Sequence, residues 1–174
     1  AETVATVPVS PRILRVSVRT RGHTWHVFSA HAPIEAAPPS AKEQFWAALD
    51  AALLQVGPCS GDETIALCID ANAKVGSVTC PAIGDAEPEH ENNNGLLFRT
   101  LLSAHGLYAV NTFIAAGATW RGARGHESRI DYVCLPDAAR SRVTSCSVRH
   151  DVDLAPAARD DHYALAVEIG RAHV

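Results

Sequence analysis

Four short segments of this chain close an apolar run with a residue able to bind a metal, hold a phosphate or move a proton. Phe28-Ser29-Ala30-His31-Ala32-Pro33 carries an extended run into His31, and Pro33 ends it. Ala66-Leu67-Cys68-Ile69-Asp70-Ala71-Asn72 delivers Asp70 and, two residues on, Asn72. If the extended path continues, the period of two puts both side chains on one side. A carboxylate beside an amide suits water activation near a phosphate: the carboxylate orients or deprotonates the water, and the amide both donates and accepts. Ser128-Arg129-Ile130-Asp131-Tyr132-Val133-Cys134 sets Asp131 among apolar residues, where burial is costly without a partner, so a partner is implied. Arg159-Asp160-Asp161-His162 leads into a last apolar run at Tyr163. Taken alone, each segment also reads as a turn, an outward-facing edge residue or a charged loop, since Asp and Asn favour turns.

The elements that must position these residues are short. Residues 13–18 and 24–30 read as a β-hairpin about an Arg21-Gly22 turn. Pro38-Pro39-Ser40 opens a helix on which Phe45, Leu49, Ala52, Leu53 and Val56 share a face, and Gly57-Pro58 stops it. Residues 64–69 form a nearly all-apolar run, as in a strand buried on both faces. Residues 73–92 lack periodicity and read as a long loop. A second helix, opened by Asn92-Asn93-Asn94, carries Leu96, Leu97, Leu101 and Leu102 and ends near Gly106. Residues 110–113, 129–135, 143–149 and 163–169 read as further strands. Strands mixed with a few helices, without a strict βαβ rhythm, predict an α+β layered sandwich in one domain spanning residues 1–174.

Composition sets wider bounds. The 174 residues are 47% hydrophobic and 20% charged, with 11 Gly and 10 Pro, which is ordinary for one globular domain. No apolar stretch is long enough to cross a bilayer, and no signal peptide is visible. The net charge of −4 argues mildly against free-standing nucleic-acid binding, although acids gathered at a metal site can conceal local basic patches. Five cysteines show no zinc spacing; Cys68 and Cys134 sit in apolar runs, and reduced, buried thiols predict an intracellular protein, with a Cys59–Cys80 disulfide as the alternative. The chain contains no Met, not even at position 1, which suggests a processed product or a piece of a longer protein.

In order, the four segments resemble the endonuclease/exonuclease/phosphatase superfamily over roughly residues 12–169. Asp70 and Asn72 match its Asp-x-Asn after a buried strand, Ile130-Asp131-Tyr132 its Ile-Asp-Tyr strand, and Asp161-His162 its closing Asp-His. Residues 29–33, then Asn94-Gly95-Leu96-Leu97, Asn111-Thr112-Phe113 and Thr119-Trp120, are similar to the endonuclease domain of non-LTR retrotransposons. The resemblance implies part of a four-layered α/β/β/α sandwich of the deoxyribonuclease I kind, with its N-terminal portion missing. It also implies metal-dependent phosphodiester hydrolysis, by a retrotransposon-like DNA endonuclease in the nucleus.

Asp70 would activate water, Asn72 would hold that water or the phosphate, and His31 would donate to a phosphate oxygen. His162 would contact the scissile phosphate or transfer a proton, with Asp131 fixing its tautomer. Mg²⁺ or Mn²⁺ would bind Asp70, Asn72 and Asp161, an all-oxygen set suited to hard ions. The charges agree with a cation, since carboxylates about 5 Å apart repel by roughly 3 kcal/mol per pair at an effective dielectric near 20. Trp120, Asn111 and Arg129 would meet the substrate, and Arg12, Arg15, Arg19, Arg21, Arg121, Arg124 and Arg129 could form a basic lip. The other histidines, among them His126, show no ligand-like grouping. The family's first-strand Asn and metal-binding Glu have no match here; Glu2, Glu35 and Glu43 lie in no matching context. The chain would therefore need the missing half of the domain or a second chain. The competing readings are an inactive remnant that binds nucleic acid or protein, and a phosphatase of the same fold.

Overall fold

The computed structural model describes residues 1–20, 22–57, 59, 61–152 and 161–170. Arg21 of the expected turn, Pro58 of the helix stop, and Arg159 and Asp160 lie outside the described residues.

The chain opens with three antiparallel strands, β1 (Glu2–Ser10), β2 (Ile13–Thr20) and β3 (His23–His31). The hairpin β2–β3 is the one its alternation predicts. Strand β1 is not foreshadowed: Pro8 breaks its pattern and most of it is exposed, as suits the outer strand of a sheet. Helix α1 (Pro39–Val56) starts on a proline, which is preset for a first helical turn, and buries Phe45, Trp46, Leu49, Ala52 and Leu53 along one stripe. It returns the chain to β4 (Glu63–Asp70), which lies parallel to β3. Thr64 to Leu67 are all buried in β4, as a strand covered on both faces requires.

After residues 71–92, which hold only isolated bridges, comes α2 (Asn93–Ala104), capped by Asn92, whose side chain accepts from Gly95 N at 2.7 Å. Strand β5 (Leu107–Ala109) follows. The strand expected at 110–113 is a 3₁₀ turn, Val110–Thr112, and the strand lies one step earlier. The reason is local: Thr112 Oγ1 donates to Ala109 O at 2.7 Å and accepts from Gly84 N at 2.9 Å, so its side chain closes a turn. Two short strands, β6 (Trp120–Arg121) and β7 (Glu127–Ser128), form a small hairpin that the sequence does not announce. Then come β8 (Asp131–Pro136), β9 (Val143–Arg149) and β10 (Ala164–Ile169).

The six-stranded sheet has the order β1-β2-β3-β4-β8-β5, and β9 and β10 pair with each other. Alternation along β4 divides the core. Ile65, Leu67 and Ile69 join Phe45, Leu49, Leu53, Phe98 and Leu102 beneath the two helices. Ala66 faces the other way, with Tyr108, Leu135 and Cys146, and Leu165, Val167 and Ile169 of β10 pack there. Helices, a large mixed sheet and a second small sheet therefore lie in layers, the α+β arrangement expected. All five cysteines are free, so Cys59 and Cys80 form no disulfide, and Cys68, on the face of β4 that carries Ala66 and Asp70, is exposed rather than buried. No described helix is long and apolar enough to cross a membrane.

Candidate active site at the strand ends

Pairing register builds the site. β3 runs parallel to β4 with His31 opposite Asp70, and β8 runs antiparallel to β4 with Asp70 opposite Asp131. The three residues thus stand side by side where adjacent strands end. Asp70 shares the parity of Ala66, so it points away from the helices, toward the side where β9 and β10 pack. His31 Nε2 lies 3.4 Å from Asp70 Oδ2.

His162 joins from the far end of the chain. An isolated bridge pairs it with Trp120, and Tyr163 N donates to Thr119 O at 2.7 Å. The hydroxyl of Thr119, a fully buried residue, accepts from Ile130 N and Asp131 N at 3.1 and 3.0 Å, so one residue, through its carbonyl and its hydroxyl, ties the two halves of the site together. His162 Nδ1 sits 3.0 Å from Asp131 Oδ2, the partner that a carboxylate among apolar neighbours demands. With Nδ1–H donating to Asp131, Nε2 is left for the cleft.

The electrostatics are uneven. Burial pushes the Asp70 carboxyl above its ordinary range, the facing Asp131 charge adds to that, and the Asn72 N–H at 3.0 Å partly opposes it. The Asp131 hydrogen bond raises the His162 imidazole, with Asp70 and Asp161 contributing in the same direction. One ligand atom from each of Asp70, Asp131 and His162 falls within 4.8 Å of the others. Two carboxylates facing each other across the ladder, with the Asn72 amide beside them, fit a hard divalent cation, which would lower the cost of holding Asp70 charged.

Asn72 does not continue the strand. Its φ of 47° is left-handed, so the chain turns there and the expected shared face with Asp70 is absent. Its Nδ2 instead donates to Ala32 O at 3.0 Å, which ties the end of β4 to the end of β3. Asp161 is exposed, and its Oδ2 accepts from Trp120 Nε1 at 3.3 Å; the structure groups Asp131, not Asp161, with Asp70. Trp120 is half-buried beside His126, at 6.3 Å between ring centroids. Two expectations are corrected. Arg129 is 3% exposed and donates to the carbonyls of Ala86, Asn111 and Val75, so it braces loops instead of meeting substrate. Asn111 is fully buried, and its Nδ2 holds Asp131 O at 2.9 Å.

A cleft of about 460 Å³ opens over the cluster, lined by His31, Asp70, Asn72, Trp120 and His162 together with residues that the sequence did not single out. These include Ile34, Glu35, Lys74, Asn92, His126 and Ser128. Glu35 accepts from Asn93 N and Asn94 N at 3.2 and 3.0 Å, a carboxylate at a helix N-terminus that spacing alone could not reveal.

No protein-family model matches the sequence, and a search of curated proteins returns no relative. Among solved structures, the chain is similar to a 3′ phosphatase, NExo, from Neisseria bound to a product DNA hairpin. The identity is 18% and the TM-score 0.69, over 98% of this chain and 72% of that one. It is also similar to the endonuclease domain of TRAS1, a telomere-specific non-LTR retrotransposon, with 19% identity and a TM-score of 0.66 over 97% and 69%. A third likeness is to the AP endonuclease LMAP from Leishmania major, with 12% identity and a TM-score of 0.66 over 92% and 55%. The chain has the fold of the endonuclease/exonuclease/phosphatase superfamily.

Proposed function

We propose that this chain forms the phosphodiester-hydrolysing centre of a metal-dependent DNA endonuclease, acting on DNA in the nucleus as part of a retrotransposon-like protein. The observation that supports the reading is the level placement of His31, Asp70 and Asp131 on three neighbouring strand ends, with His162 hydrogen-bonded to Asp131 in a cleft. Asp70 orients the attacking water and accepts its proton. His162, held in one tautomer by Asp131, presents Nε2 to the phosphate and stabilises or protonates its oxygens. His31, 60% exposed at the rim, donates to a non-bridging oxygen.

Asp70 and Asp131, with the Asn72 amide beside them, would hold Mg²⁺ or Mn²⁺, which when bound supplies Lewis-acid stabilisation of phosphoryl charge. The reading includes the Glu ligand that the family resemblance implies, supplied by a further segment of polypeptide or by a second chain. The test is nicking of supercoiled plasmid in Mg²⁺ or Mn²⁺ beside an Asp70→Ala/His162→Ala double variant. Nicking that the double variant lacks is the expected result, from this chain or from one extended at its N-terminus. If both forms leave the plasmid intact, the inactive-remnant reading takes over. If they release phosphate from small phosphoesters instead, the phosphatase reading does.

A further inference from the structure

Among the residues lining the cleft, all of them described, Lys74 is the one Lys or Arg. Its backbone is fixed from both sides. Lys74 N donates to Asn92 Oδ1 at 3.0 Å, and Lys74 O accepts from Asn92 N at 3.3 Å. A Cβ on Gly95 would fall 2.1 Å from Lys74 O, so only glycine lets α2 press this closely on the loop. The stem is therefore rooted two residues beyond Asn72, on a turn that Asn92 and Asn94 hold by donating to Asn72 O.

The ammonium is less committed. The carboxylate nearest it, Glu89, stands 3.5 Å from Nζ, long for a charged hydrogen bond. Glu89 has already taken Ser128 Oγ at 2.5 Å and Arg129 N at 2.9 Å. With 35% of its side chain exposed and three donors, Lys74 keeps N–H groups free for the cleft. Glu89 holds the charge in place without consuming it.

We infer that Lys74 is a phosphate-binding residue, its ammonium receiving a phosphodiester oxygen of a nucleic-acid strand that neighbours the scissile one. This rests on the proposed nuclease reading and adds a substrate contact in the cleft that His31 also lines. The alternative is that Lys74 only neutralises Glu89.

The test uses a fluorescein-labelled DNA duplex, with binding followed by anisotropy in EDTA over a salt series, for the wild type, Lys74→Met and Lys74→Arg. Lys74→Met keeps the stem and removes the charge. The expected result is about tenfold weaker binding with a log–log salt slope shallower by about 0.9, and recovery of most of both in Lys74→Arg. In Mg²⁺, plasmid nicking by Lys74→Met shows a raised KM and a kcat within about twofold of wild type. A wild type that binds and nicks, beside a Lys74→Met with lowered melting temperature but unchanged Kd and slope, overturns the inference and leaves the nuclease reading standing. If neither this chain nor its N-terminally extended form binds or nicks, both are overturned.

Discussion

The two walls of the cleft are built on opposite terms. On the strand-end wall, Asp70 faces Asp131 across one ladder position, and burial together with the Asp131 charge makes the Asp70 carboxylate costly to ionise. On the loop wall nearly every polar atom has found a partner. Asn94 is fully buried and donates to Pro33 O at 2.9 Å and Asn72 O at 3.3 Å, while its Oδ1 accepts from Trp46 Nε1 at 3.3 Å. Asn92 and Glu89 are as heavily bonded. The difference teaches where this fold keeps its reactivity. On the proposed reading, the groups left uncomfortable are those that would do the chemistry, and the groups fully satisfied hold them there.

Variants separate the walls. On the strand-end side, His162→Ala is expected to lower kcat for plasmid nicking by roughly 10²–10⁴. Thermal unfolding should barely move, since the ring is partly exposed. A matched loss of stability would erase the contrast. On the loop side, Asn94→Ala strands the Pro33 and Asn72 carbonyls and the Trp46 N–H, and urea unfolding should report a loss of about 3 kcal/mol. A loss below about 1 kcal/mol would show that this wall is not the rigid one.

A subtler outcome concerns Asp70→Asn, which should inactivate and stabilise at once, by about 1 kcal/mol at neutral pH in EDTA. The sign follows from the raised carboxyl: ionising it costs the folded state more than the unfolded one. That cost is absent below the ordinary carboxylate range and grows as pH rises through the folded value, so the advantage of Asp70→Asn grows the same way. Chemical denaturation across pH 3 to 8 checks it. The smallest effect is that of His162. Its raised imidazole favours folding when protonated, and that contribution is complete below the ordinary histidine value and lost as pH rises through the folded one. The melting-temperature gap between wild type and His162→Gln in EDTA should therefore shrink between about pH 5 and about pH 9.

How much of this was legible varied with the range of the interactions. The β2–β3 hairpin, the buried β4, both helices and the strand-end acids followed from periodicity and from the cost of leaving Asp131 unpaired. The left-handed Asn72 was hidden, because period two gives no reason to stop and the reason lies in Asn92 and Asn94 some twenty positions on. Arg129 read as a free cation because its three carbonyl acceptors belong to segments distant in sequence. Glu35 and Lys74 were invisible as cleft residues for the same reason: the loops that carry them have no pattern until α2 docks. Strand β1 lacked the alternation that burial would have imposed.

The ladder register has a consequence for how such a sequence can change. His31, Asp70 and Asp131 owe their alignment to counting along β3, β4 and β8, and to nothing in the lengths of the connections between those strands. Insertions at residues 122–126 would lengthen a surface loop and leave the three abreast. Deleting one residue inside β4 would turn Asp70 toward the helices and its neighbour toward the cleft. Lineages descending from this chain are thus free to vary in loop length while strand length stays fixed to the residue.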